Sequence, residues 1–421
     1  VATRESPISI LERGLGRKLR VVALTQNYGF CFFYRIKWPM MALFDLGLVD
    51  FIAINPAMAL DMVGQAILEA DVIIFHYAAP APLLCAYADL IKKFGHKKII
   101  VSEFDDDYMS INPVNQSYRY YGTEDVYIAN GTPLWKDGMK CNNNGDDSPF
   151  SIEKNKERIE QMKHACDQSD AISVTTGHLA DAFKFTETPK LILGNYIYPD
   201  EEIMPMGEKN NDILTIGWQG GDSHYEDLHS IIHVLERIKD RYGDKVKFKF
   251  WGAEFVKLFS RVDGEHVKWC RPIDFLSEFS KNLPDIGIVP LVDNKFNRAK
   301  SNIKWLEYSY YAIPSVVARE IPYSTDGIHG ETLLYYQSPG QMYKNLCLLI
   351  EDEMMRKSIG EKARQYVLKN YDIRNKCIKW YDCYIRLLKG KEQNGDIHLE
   401  HGIHQQFDHL FQLHDKPENQ V

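Results

Sequence analysis

No stretch of this 421-residue chain approaches the ~20 consecutive apolar residues that a membrane span requires, so no integral membrane contact is expected. Val1 to Arg20 is polar and basic without an apolar block, and no cleavable leader is expected there. The eight cysteines are scattered, and the closest pair, Cys377 and Cys383, has no partner pair nearby. That spacing fits neither a disulfide framework nor a metal site, so the thiols are read as reduced and the expected compartment is cytoplasmic. Positive charge is not in excess either. The net charge of −8 argues against broad binding to polyanions, although a local basic groove stays open; Arg4, Arg13, Arg17, Lys18 and Arg20 form the clearest basic cluster. No G-x-G-x-x-G follows the first apolar run, which removes the usual dehydrogenase signature.

What is present is ordinary globular material, 45% hydrophobic and 26% charged, with length for two or three domains. Short apolar runs recur at Leu19–Leu24, Phe51–Ile54, Val72–His76, Lys98–Glu103 and Ala171–Thr175. Helical stretches such as Ala57–Glu69 and Pro82–Phe94 lie between them. A second series follows at Ile213–Trp218, Lys247–Trp251, His266–Trp269, Ile286–Val289 and Ser315–Ala318. Strands alternating with amphipathic helices predict parallel sheets covered on both faces. The reading is therefore α/β, with two Rossmann-like domains facing across a cleft: 1–195, then 196–365 after a crossing rich in Asn, Gly and Pro. A long helical pattern over Pro339–Leu388 closes the folded part, and 391–421 reads as a polar tail. Met109–Phe150 is expected to be a long excursion from a sheet edge. Ligands of such sheets sit beyond the C-terminal strand ends, which directs the search there.

Three segments stand at those ends. ILTIGWQGGDSHYEDL (Ile213–Leu228) runs from a strand through Gly217, Gly220 and Gly221 into a helix with Ser223 and Glu226 at capping-box spacing. A glycine-rich turn feeding a helix suits a phosphate, or is an ordinary packing turn. In NRAKSNIKWLEYSYYAIP (Asn297–Pro314), Lys300, Lys304 and Glu307 share one face if the segment is helical. Two ammonium groups and a carboxylate suit a nucleoside diphosphate; the bland alternative is a solvated face with a weak ion pair. In KKIIVSEFDDD (Lys97–Asp107), Asp105, Asp106 and Asp107 follow a strand as a candidate general base, sugar-hydroxyl acceptor or metal site, or else a loop cap. His76 ends another strand, where it can meet a substrate or serve as a structural partner. Tyr34 and Arg35 follow a loop containing Gly29, and Arg35 either binds an anion or pairs with an acidic neighbour.

With those residues in place, 191–388 resembles the retaining, nucleotide-sugar-dependent glycosyltransferases of the GT-B fold. LGNYIYPD, TIGWQGGDSHYEDL, KSNIKWLEYSYYAIPSVVA and IEDEMMRKSIGEKARQYVLKNY carry the likeness in that order. YRIKWPMMAL and SEFDDDYMSINPVNQSYRYYG are similar to a branch found among bacterial and phage-encoded sequences. The resemblance implies a donor site in the C-terminal domain and a last helix, 366–390, packing back on the N-terminal one. Gly220, Gly221, Ser223, Ser301 and Lys304 would line the donor, Lys300 would bind its phosphate and Glu307 its ribose. One position departs: the glutamate expected eight residues before Glu307 is Ala299. The expected function is transfer of a sugar from a nucleoside diphosphate sugar to a polar acceptor (a glycan, a lipid-linked glycan, a protein or a modified DNA base). Lys300, Asp106 and His76 are the candidate catalytic groups; Asp105, Asp107, Tyr120, Tyr34 and Arg35 are the candidate acceptor-binding ones. No cofactor or bound metal is expected beyond the donor itself. The rival class is a two-domain ligand-binding protein without catalysis.

Overall fold

The computed structural model describes residues 6–58, 60–76, 87–88, 91, 98–140, 148–199 and 213–394. Most of the expected helix over Pro82–Phe94, apart from Tyr87, Ala88 and Ile91, and nearly all of the 391–421 tail lie outside these residues. Among the described residues, no helix is long and apolar enough to cross a membrane.

Two parallel six-stranded sheets organise the chain. The first contains β1 (Leu19–Leu24), β2 (Val49–Ile54), β3 (Val72–His76), β4 (Ile99–Glu103), β7 (Ala171–Val174) and β8 (Lys190–Ile192), in the order β2-β1-β3-β4-β7-β8. Between β4 and β7, β5 (Val126–Tyr127) and β6 (Pro133–Trp135) form a small antiparallel pair. The second sheet contains β9 (Leu214–Gly220), β10 (Val246–Gly252), β11 (Glu265–Val267), β12 (Ile286–Val289), β13 (Ser315–Ala318) and β14 (Leu334–Tyr336), ordered β11-β10-β9-β12-β13-β14. Inner strands are buried along their whole length, as β3, β4, β12 and β13 are, because helices cover both faces. The helix Tyr225–Tyr242 shows how: Leu228, Ile231, Ile232, Leu235 and Ile238 all turn inward. Each such side chain contributes ~1.5–3 kcal/mol by leaving water.

Strand order reverses between β1 and β3 in the first sheet and between β9 and β12 in the second. Loops on either side of such a reversal part and leave a crevice at the C-terminal edge. Three expectations need correction. The excursion after β4 leaves from an inner strand, since β4 pairs with both β3 and β7. The closing helical pattern is four helices, Pro339–Glu351, Glu353–Asn370, Ile373–Lys376 and Ile378–Asn394, because Asp352 and Asp372 each cap a new start. The segment from Asn297 to Pro314 is not one helix: Lys295–Arg298 and Ile303–Tyr310 are separate, so Lys300 lies in the link between them.

The chain passes from one sheet to the other near Ile197 and returns near Tyr371. These crossings lie side by side, with Ile197 N–H donating to Tyr371 O and Ile373 N–H to Ile197 O, both at 2.9 Å. Beyond the return, Trp380, Tyr381 and Tyr384 pack into one cluster with β1 and β3 residues such as Val21 and Ile74.

Candidate active site

β9 ends at Gly220, and its loop is shaped by a neighbour. Gly252, at the end of β10, has φ +102°, and a Cβ there would lie 2.4 Å from Gly220 O. A Cβ on Gly220 would meet the Trp218 ring at 2.5 Å. Gly221 is different: its φ of −91° suits any residue, and an added Cβ meets nothing within 4 Å. Neither backbone nor packing demands glycine there; the space in front of it is open. Ser223 and Glu226 do not form the expected capping box, because Ser223 lies inside the turn Asp222–His224 and the helix starts one residue later than the box requires, at Tyr225 behind His224.

Freed from capping, the Ser223 hydroxyl lies 3.3 Å from Lys300 Nζ, and Asp106 Oδ1 lies 3.4 Å from the same ammonium. The loops after β4 and β9 therefore meet on Lys300, across the two sheets. Burial raises the Asp106 carboxyl to about 6 against the pull of Lys300, so it is largely ionised at neutral pH.

Lys304 begins a buried relay. Its Nζ is 2.6 Å from His224 Nε2, and His224 Nδ1 is 2.6 Å from Asp227 Oδ2. Burial, and then the Lys304 and Lys300 charges, hold His224 well below its ordinary value, so the ring is neutral. A neutral imidazole has one N–H; Asp227 accepts it from Nδ1, leaving Nε2 to accept from Lys304. Asp227 also takes Val292 N–H at 2.8 Å and Asn297 Nδ2 at 2.9 Å, tying the loop after β12 to the helix after β9. Burial and the neighbouring Lys300 ammonium lower Lys304 to about 7.

Glu307 lies one turn beyond Lys304. Gln219 Nε2 donates to its Oε2 at 2.7 Å, and the Tyr34 hydroxyl, from the N-terminal half, donates to its Oε1 at 2.5 Å. Burial raises its carboxyl to about 7. Ser301 accepts from Asn195 Nδ2 at 2.8 Å, a second link between the halves.

The remaining candidates disperse. Arg35 is fully enclosed, with Nε donating to Glu103 Oε1 at 2.6 Å and Nη1 to Leu193 O and Asn195 Oδ1. His76 is buried with Nδ1 2.8 Å from Thr25 Oγ1, and burial lowers it to about 4, so it is neutral. Asp107 caps the turn at Met109, and Asp105 accepts from the Tyr108 hydroxyl at 2.8 Å. Tyr120 is 38% exposed, with the guanidinium groups of Arg119 and Arg158 each 5.4 Å from its ring centre. Among the described residues, no group of three or more His, Cys, Asp or Glu side chains could hold a metal ion.

His224, Asp227 and Gln219 escaped the sequence reading. His224 and Asp227 did leave a trace, as a histidine and an aspartate three apart at a helix start.

No protein-family model matches the sequence, and no curated protein matches it. Solved structures do match in fold. An α-glucosyltransferase in complex with UDP and a 13-mer DNA containing a HMU base is 11% identical, with a TM-score of 0.56 over 88% of this chain and 100% of that one. Sucrose-phosphate synthase from Thermosynechococcus elongatus is 11% identical, with a TM-score of 0.54 over 88% of this chain and 100% of that one. HepE from Anabaena, in complex with UDP, is 11% identical, with a TM-score of 0.51 over 87% of this chain and 99% of that one. Against TarM, the chain spans about half of the other's length (54%) at a TM-score of 0.48. The fold is that of the GT-B glycosyltransferases.

Proposed function

We propose that the protein is a GT-B glycosyltransferase that moves a sugar from a nucleoside diphosphate sugar, a uridine diphosphate ester foremost, to a polar acceptor. One observation carries the reading. Two lysines and a serine hydroxyl gather at the strand-order reversal of the second sheet, facing a carboxylate from the first. Retention of anomeric configuration rests on the sequence resemblance, and the choice of uridine on the UDP in the α-glucosyltransferase and HepE structures.

In the reaction the bond from the sugar's C1 to the diphosphate oxygen breaks, and its electron pair leaves on that oxygen. The acceptor oxygen forms the new bond to C1 and gives up its proton. Lys304, oriented by the neutral His224, and Lys300 with Ser223 offset the charge on the leaving diphosphate, which is electrostatic catalysis in a partly dehydrated site. Asp106, ionised at neutral pH, is placed to take the acceptor's proton. Asp105 offers an accepting carboxylate, and the aromatic segment after it hydroxyls and rings, to a glycan, a lipid-linked glycan, a protein or a modified DNA base.

The test is thermal denaturation with a panel of nucleotides and their sugar esters. A bound donor at about 100 times its Kd adds ~2.7 kcal/mol of stability. Lys304→Met is expected to weaken the diphosphate at least ~10-fold, the scale of one charge-assisted hydrogen bond. A chain stabilised by no nucleotide would overturn the proposal.

A further inference from the structure

The carboxylate expected eight residues before Glu307 is absent: Ala299 stands there, buried among Phe104, Met162 and Phe183 of the first half. Another carboxylate lies close to Lys300. A crevice beside Ser223 is lined by the polar side chains of Asn112, Asn115, Glu226, Asn294 and Asn297, drawn from both halves. Val114, Tyr225 and Phe296 line it as well. Glu226 Oε2 accepts from Asn112 Nδ2 at 2.9 Å and from Asn294 Nδ2 at 3.4 Å. That fixes the carboxylate across the crevice with lone pairs to spare.

Asn115 supplies the second observation. It is 4% exposed, and its Oδ1 accepts from Ser117 N–H at 2.9 Å, which sets the orientation of the amide. Its Nδ2 is buried without a hydrogen-bond partner. A buried donor left unmade is costly, and native structures keep few unless a ligand completes them. A fixed acceptor, an unused donor and the Ser223 hydroxyl suit a ring of hydroxyl groups, each of which both donates and accepts.

Position selects which ring. In chain order backwards, Glu307, Lys304 and Lys300 lead towards Ser223, which touches Lys300 and lines the crevice. A nucleotide with its ribose at Glu307 and its diphosphate at the lysines reaches the crevice with its sugar. We infer that this crevice holds the glycosyl unit of the donor, a neutral hexose, and that Glu226 and the Asn115 amide read its hydroxyls in place of the missing glutamate. This rests on the donor reading above. The Glu226 carboxylate would repel a uronic acid.

The test is calorimetry on wild type, Glu226→Gln and Asn115→Asp, the latter keeping the acceptor for Ser117. UDP, GDP, ADP and dTDP are titrated first, then the glucose, galactose, N-acetylglucosamine and glucuronic acid esters of whichever nucleotide binds. Wild type is expected to separate the sugars by roughly tenfold or more, with the glucuronate weakest. Both variants should hold the nucleotide Kd within about twofold. The whole spread should shrink to about threefold in Glu226→Gln, and the spread among the three neutral sugars should shrink likewise in Asn115→Asp, whose added carboxylate itself disfavours the glucuronate. A spread unchanged in the variants, or none in wild type, overturns the inference and leaves the donor reading standing. A wild type that binds no nucleotide brings down the donor reading, and this inference with it.

Discussion

Glu307 is a buried carboxylate with both oxygens already engaged, so any ribose that binds it must displace a partner. Tyr34 is the cheaper one to displace, since it comes from the other half of the molecule. Glu307→Ala should weaken nucleotide binding by ~1.5–3 kcal/mol, the loss of a hydrogen bond to a charged group. Tyr34→Phe should strengthen it a few-fold, because the competing hydroxyl is gone; calorimetry on both variants checks the pair, and equal losses would refute the exchange. Stability carries a separate signature. Burial lifts Glu307 from 4.5 to about 7, so between those values the folded state holds a proton that the unfolded state has lost. Stability from this group is therefore present below pH 4.5 and is lost as pH rises through 7. Glu307→Gln stays neutral throughout, so wild type should lose on the order of 2–3 kcal/mol relative to it between pH 5 and 8 in denaturant titrations. A gap that does not move with pH would contradict this. At this scale Lys300, Lys304 and Ser223 were legible because residue type and position point to an anion, and Glu307 because a carboxylate at helical spacing from the lysines suits ribose hydroxyls. His224 and Asp227 were not, because their part depends on Lys304, 80 residues away in the chain.

Elements were legible wherever apolar runs were unbroken: β1, β3, β12 and β13 have the bounds that their sequences predict. β8 and β14 were not, since three-residue strands carry too little pattern. The break inside Asn297–Pro314 has a physical cause that spacing cannot reveal. Phe296 packs with Tyr118, Trp135 and Phe150 of the excursion, and Ala299 enters a second apolar cluster of the N-terminal half. Both anchors lie in the other half of the molecule, and together they pull the first turn away from the helix Ile303–Tyr310. The loop after β9 yields the test at this scale. Gly221 has an ordinary φ and open space before it, so Gly221→Val should leave stability within about 0.5 kcal/mol, as at an unconstrained surface site. The isopropyl group would stand where the diphosphate is proposed to lie. Nucleotide affinity should fall at least roughly tenfold by titration, far more than stability does. A variant that binds normally would move the phosphate site away from this loop.

Across the whole molecule, the contacts between the two halves include Lys300 with Asp106, Glu307 with Tyr34, Ser301 with Asn195, Glu226 with Asn112, Phe30 with Trp269 and Phe275, and the Phe296 and Ala299 anchors. A net charge of −8 makes the paired lysines a local exception in an acidic protein. Negative surroundings favour cations in general, and the acidic run Asp105–Asp107 would suit a metal if its carboxylates converged on one point. Its members instead face different partners: Asp107 a backbone N–H, Asp105 a tyrosine and Asp106 a lysine. With Lys300 and Lys304 answering the leaving diphosphate, turnover should persist in excess chelator. The two halves should also be separable kinetically. Asp106→Asn keeps the shape of the side chain but cannot take a proton, so transfer should fall ~10²-fold or more, the usual worth of a positioned base. Nucleotide affinity should hold or rise, because Lys300 loses a competing carboxylate. Transfer kinetics and calorimetry on the same variant, each run with and without chelator, decide the matter. If chelation stops wild-type turnover and magnesium restores it, the aspartates bind metal and the lysines are not sufficient. If Asp106→Asn loses donor affinity in step with transfer, Asp106 belongs to the donor site, and the base must be sought elsewhere on the first sheet's edge.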